Sequence, residues 1–123
     1  MYTDRYYRSW QGPFSFNLGS ARAHTPKTYG VYQILYKDHG KLIPVYVGIA
    51  TGATIRERLS KHVSSSHNWA LKRITTPDHY CFVYYECDPK TAQQIESHIT
   101  CDAKPPYNAK RELRHYIPSV SLH

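Results

Sequence analysis

Nothing in this 123-residue chain approaches the ~18 consecutive apolar residues that a membrane-spanning helix needs. The opening residues, Met1-Tyr2-Thr3-Asp4-Arg5, carry no apolar core of a secretory signal. Cysteine is scarce. Cys81, Cys87 and Cys101 are odd in number and none sits in a Cys-x2-Cys pair, which argues against a disulfide framework and for reduced thiols. His98 and Cys101 are spaced to share one helical face, but a structural zinc site would need two further ligands from elsewhere, so a zinc-stapled domain is the weakest reading. No internal repeat or low-complexity tract occurs. These absences lead to the expectation of a soluble, intracellular protein with no membrane partner, cytoplasmic and nucleoid-associated if bacterial. Acid is in short supply too: 9 aspartates and glutamates face 16 lysines and arginines, a net charge of +7 with histidine neutral. A balance this basic suits a polyanionic partner, most often nucleic acid.

The chain is of ordinary length for one domain, and its 41% hydrophobic content against 20% charged residues supports a real core. Residues 1–28 read as an aromatic and basic arm docked on the rest. They hold Tyr2, Tyr6, Tyr7, Trp10, Phe14 and Phe16 among Arg5 and Arg8, with no sustained period beyond a short strand around Phe14-Ser15-Phe16. Residues 29–123 form the domain proper. Residues 29–37 and 42–49 are rich in aromatic and β-branched side chains, and the Asp38-His39-Gly40 turn between them predicts an antiparallel hairpin. Pro44 predicts a bulge or an edge strand. Thr54-Ile55-Arg56-Glu57 is a capping box, so a helix starts there and ends in Ser64-Ser65-Ser66. A short helix is expected over 68–74, a third strand over 79–87, and a helix from Pro89 to about 102, capped by Asp88. A last short helix is expected around Arg111, Arg114 and His115.

Two tripeptides stand out inside the hairpin, Gly30-Val31-Tyr32 and Tyr46-Val47-Gly48. Glycine is costly in a strand and marks a close approach of another group. Downstream come Arg58 and His62, one helical turn apart and so on one face, then Glu96 and Asn108. Two phenols, a guanidinium, an imidazole and one carboxylate are the parts needed to cut a phosphodiester with one metal ion. Glu96 is the metal candidate, because Ile95 and Ile99 anchor its helix to the core. Arg58, chosen over Arg56 because His62 shares its face, would pair with a phosphate oxygen. His62 would bond a tyrosine hydroxyl, orient the water or hold a phosphate. Tyr32 and Tyr46 would relay the water's proton, although a phenol is a poor base at neutral pH. The Asn108 amide would brace the motif strands or Glu96.

This ordered set resembles the GIY-YIG nuclease superfamily, with valine in place of isoleucine at the centre of both motifs. The likeness covers about residues 29–112. It departs in one place, where Thr51-Gly52 lengthens the loop ahead of the Arg58 helix. The resemblance implies an α+β fold: a small three-stranded antiparallel β-sheet flanked by helices in the order β-β-α-β-α. It implies catalytic roles for Tyr32, Tyr46, Arg58, His62, Glu96 and Asn108, with Gly30 and Gly48 as structural glycines of the motifs. It also implies one Mg2+ bound chiefly through Glu96, with Mn2+ as a substitute, and products bearing 5′-phosphate and 3′-hydroxyl ends. Tyr32 is taken as general base, assisted by Tyr46. Arg56, Lys61, Lys72, Arg73, Lys110 and Arg111 are the candidate DNA contacts, and their binding should weaken with salt. A divalent-metal-dependent DNA endonuclease is the leading reading, and a non-catalytic nucleic-acid-binding module that keeps the fold is the alternative. With most of the chain spent on the core, a homodimer or a recruiting protein is a further partner to consider.

Overall fold

The computed structural model describes residues 2–108. Lys110, Arg111 and the helix expected around Arg114 lie outside them. Among the described residues, five strands and three α-helices run in the order β1 (Tyr2–Thr3), β2 (Ser9–Ser15), α1 (Leu18–His24), β3 (Gly30–Asp38), β4 (Lys41–Ala50), α2 (Ile55–Ser65), β5 (Tyr80–Glu86) and α3 (Pro89–Asp102). The sheet is five-stranded with spatial order β1-β2-β5-β3-β4 and every pairing antiparallel. The expected three-stranded sheet is therefore corrected. Strands β3, β4 and β5 form where the residue pattern places them, and the first 28 residues add β1, β2 and helix α1. Gly12-Pro13 interrupts β2, and its pairing with β5 slips between Gln11 and Phe14. That break also switches faces: Trp10 packs with Val31 and Leu35, whereas Phe14 and Phe16 pack with the cluster around Tyr32.

The hairpin turns through His39 and Gly40, both at positive φ (48° and 85°), the two-residue turn that matches strand twist. Pro44 sits on the edge strand β4 and beside a bulge: Ile34 pairs with Tyr46 but Leu35 with Pro44. Strand β3 is an interior strand between β5 and β4, and its first six residues are all buried because both faces are covered. Tyr32 and Ile34 pack with Ile55 and Leu59 of α2 and Ala21 of α1. Val31 and Leu35 pack with Trp10 and with Ala92, Ile95 and Ile99 of α3. Helix α2 has both halves of its capping box: the Thr54 hydroxyl accepts from the Glu57 amide, and the Glu57 carboxylate accepts from the Thr54 amide. The segment expected as a short helix over 68–74 forms only a single 3-10 turn, Leu71–Arg73. Another 3-10 turn, Pro106–Asn108, carries Asn108 against β4.

Candidate active site

Tyr32 projects from the buried middle of β3, and its hydroxyl lies 2.8 Å from His62 Nε2. The Tyr46 ring meets the same imidazole edge-on, with centroids 5.2 Å apart, and stands 6.3 Å from the Tyr32 ring. Gly48 is the cross-strand partner of Tyr32. A Cβ there would come within 2.5 Å of the Tyr32 hydroxyl, so the glycine makes room for the phenol. Gly30 is required for a different reason: its Cβ would fall 2.2 Å from the Tyr85 carbonyl oxygen of the neighbouring strand.

Burial dominates the electrostatics. It pushes the Tyr32 phenol far above its ordinary range, with Tyr46 adding to the effect and the Arg58 charge opposing it. Tyr46 is also raised, first by burial and then by Glu96, and is again opposed by Arg58. His62 is lowered to about 4 by burial, Arg58 and Lys61. At neutral pH the site therefore holds two uncharged phenols and an uncharged imidazole. Arg58 from α2 and Glu96 from α3 both act on both phenols, so five of the six candidates share one electrostatic neighbourhood. Arg58 is exposed, whereas Glu96 is half-buried with its carboxyl raised by burial alone.

Residues 28–108, well over half of the chain, match the GIY-YIG catalytic domain. The chain belongs to the GIY-YIG nuclease family. Among solved structures it is similar to the GIY-YIG N-terminal endonuclease domain of UvrC from Thermotoga maritima bound to magnesium. That match has 22% identity, covers 75% of this chain and 96% of that chain, and has a TM-score of 0.54. Two point variants of the same domain, each bound to its catalytic divalent cation, match at 20% and 21% identity. Both cover 76% of this chain and 96% of theirs, with a TM-score of 0.54. At such identity the likeness is one of fold. No curated protein matches the chain significantly.

Both GIY-YIG tripeptides sit side by side on β3 and β4, with Tyr32 opposite Gly48. Asn108 is spent on β4: its Oδ1 accepts from the Val47 amide at 2.9 Å and its Nδ2 donates to the Val47 carbonyl at 2.8 Å. It thus acts as one residue of a further strand along the open edge, beside Tyr46. Of the candidate DNA contacts, Lys61, Lys72 and Arg73 are exposed. A groove of about 260 Å³ beside His62 is lined by Ser66, Leu71, Lys72 and Ile74 among others. Arg56 departs from expectation. Its Nε and Nη2 both donate to the Thr25 carbonyl, tying α2 to the segment after α1, so those donors are committed to the fold. Among the described residues no group of three or more histidines, cysteines or acids is placed to hold a metal. The sequence pattern passed over Ser66 and Asn68, read only as the end of a helix and the start of the next. Ser66 Oγ lies 2.9 Å from His62 Nδ1 and accepts from the Asn68 amide. The available signal was the spacing of four between His62 and Ser66 on one helical face.

Proposed function

We propose that this GIY-YIG domain is a divalent-metal-dependent DNA endonuclease that leaves 5′-phosphate and 3′-hydroxyl ends. The observation that carries the reading is the Tyr32 hydroxyl against His62 Nε2, within the field of both Arg58 and Glu96. A phenol pushed this far above its ordinary range cannot work as a standing phenolate. It can work as a relay. As water attacks phosphorus, Tyr32 Oη takes the water's proton while its own passes to His62 Nε2. The new phosphorus–oxygen bond forms, the bond to the 3′ oxygen breaks, and that oxygen gains a proton through solvent.

Arg58 couples binding to this relay. Burial is the main cause that holds His62 low when no substrate is present, and the Arg58 charge adds to it. A phosphate oxygen paired with the exposed guanidinium offsets the Arg58 part of that effect, so the imidazole is a better proton acceptor with substrate in place than without it. Glu96 is the residue that would hold the cation. Its carboxyl is half-buried, and no described residue forms an ion pair with it, which fits a ligand for positive charge. When bound, Mg2+ supplies positive charge to the phosphate and to the departing oxygen. Lys61, Lys72 and Arg73 would extend the contact along the DNA backbone.

The test is digestion of single-stranded, duplex and branched DNA across Mg2+ and Mn2+, with end mapping. Cleavage that is abolished by Glu96→Gln and by Arg58→Ala, with the fold retained, is expected. DNA bound without product in either metal would instead identify a binding module, and variants that cut as fast as the parent would overturn the assigned roles.

A further inference from the structure

Behind the catalytic side chains runs a second, continuous set of hydrogen bonds. It starts at His62 Nδ1, 2.9 Å from Ser66 Oγ. That oxygen accepts from the Asn68 backbone amide at 3.1 Å, and Ser66 itself is buried. The Asn68 side chain works at both ends. Its Oδ1 accepts from the amides of Ala70 and Leu71, and its Nδ2 donates to the Tyr107 carbonyl at 2.9 Å. Tyr107 is pinned through its hydroxyl, 2.7 Å from that of Tyr80 inside the core. The next residue is Asn108, which grips both backbone groups of Val47. Val47 follows Tyr46 in the second motif, and β4 pairs back onto Tyr32. The path therefore closes on itself, from one catalytic tyrosine to the other.

We propose that Ser66 and Asn68 are positioning residues of the nuclease: Ser66 keeps the His62 proton on Nδ1, and Asn68 locks that imidazole to the β4 edge through Tyr107 and Asn108. This inference rests on the reading that Tyr32 passes a proton to His62. A neutral imidazole carries one proton, and the partner of one nitrogen fixes what the other can do. Nε2 can accept from Tyr32 only if Nδ1 holds the proton, and Nδ1–H then needs an acceptor. Ser66 Oγ gives one lone pair to Asn68 and has a second for Nδ1–H. The reverse arrangement, with the serine hydroxyl donating to Nδ1, would put a proton on Nε2 and leave it unable to receive one. The Asn68 branch has a separate purpose. His62 stands on α2 and Tyr46 on β4, and a ring whose neighbours move independently cannot hold both phenols.

The experiment is nitrogen-15 NMR of the histidine side chains in the 123-residue chain at neutral pH, combined with cleavage kinetics and amide hydrogen exchange. His62 protonated on Nδ1 in the parent supports the proposal; protonation on Nε2 overturns it, whether or not the protein cuts DNA. Ser66→Ala should shift His62 towards the other tautomer and lower kcat about 10- to 100-fold with KM little changed, and Ser66→Thr, which keeps the hydroxyl, should recover most of the loss. An unchanged tautomer and unchanged kcat in Ser66→Ala would overturn it. Asn68→Asp keeps the oxygen that caps Ala70 and Leu71 but loses the donor to Tyr107. Faster exchange at the Val47 amide, with a lower kcat, is expected, and exchange and rate equal to the parent's would remove Asn68 from the assignment. A parent that cuts no DNA overturns the nuclease reading and not the hydrogen-bond set, which the NMR and exchange arms read directly.

Discussion

Gly30 and Gly48 hold matching places in the two tripeptides, yet their neighbours differ in kind. At Gly48 the obstacle to a Cβ is the Tyr32 phenol; at Gly30 it is the backbone of β5. Gly48→Ala should therefore fold, at a cost of about 1–3 kcal/mol for overpacking, and lose cleavage by about 100-fold because the hydroxyl is pushed off His62. Gly30→Ala should part β3 from β5, and circular dichroism should report a chain that does not fold. Equal losses of activity and of fold in both variants would contradict this distinction. His62 supplies a second prediction at the same scale. Burial, with Arg58 and Lys61, lowers it from an ordinary 6.5 to about 4 in the folded protein. Between those values the unfolded chain binds a proton that the folded protein refuses, so stability falls as pH drops from 6.5 towards 4. The full contribution is about 3 kcal/mol. Urea midpoints measured near pH 7 and near pH 4.5 should show this loss in the parent and not in His62→Gln.

Helix α2 carries Arg58 in its first turn and His62 near its last, so its two ends have separate consequences for the site. The N-terminal end depends on Thr54, whose hydroxyl and amide both meet Glu57. Thr54→Ala should cost about 1 kcal/mol, read as a lower thermal midpoint. This end was legible in the sequence, because a capping box is local chemistry at fixed spacing. So were the hairpin, β5 and α3, where turn residues, β-branched runs and a Pro-started helix agree with the tertiary fold. The C-terminal end was not legible. Ser64-Ser65-Ser66 reads as a stop signal, and the spacing of four between His62 and Ser66 does not by itself say that the third serine bonds the imidazole. The face shared with His62 favours Arg58 over Arg56 in the sequence, but the Thr25 carbonyl that occupies Arg56 lies 31 positions away and leaves no local sign. Asn108 was legible as a brace but not as a clamp on Val47, since that contact joins positions 61 apart.

At the scale of the whole molecule, the match to the GIY-YIG catalytic domain begins at residue 28, but the folded unit does not. Strand β2 pairs along β5, and Trp10 is fully buried among Val31, Leu35, Val47 and Val83, on the face that α3 covers. On the other face Phe16 and Ala21 join the core around Tyr32, and Arg56 reaches back to Thr25. The arm also organises itself. The Asp4 carboxylate accepts from the amides of Tyr6 and Arg8, from the Arg8 side chain and from the Trp10 indole. Without these residues β5 would become an open, largely buried-type edge, the kind that pairs with other chains. A chain starting at Thr28 keeps every motif residue described above, yet it should aggregate or fail to melt cooperatively, as read by size-exclusion chromatography and thermal denaturation. Trp10→Ala in the full chain isolates the packing part of this argument. It should cost about 3–5 kcal/mol while leaving β2 free to pair, so that at low temperature the variant still cleaves. A truncated chain that is monomeric and as stable as the parent would show that β3 to α3 suffice, and that the arm is an addition to the fold and not a part of it.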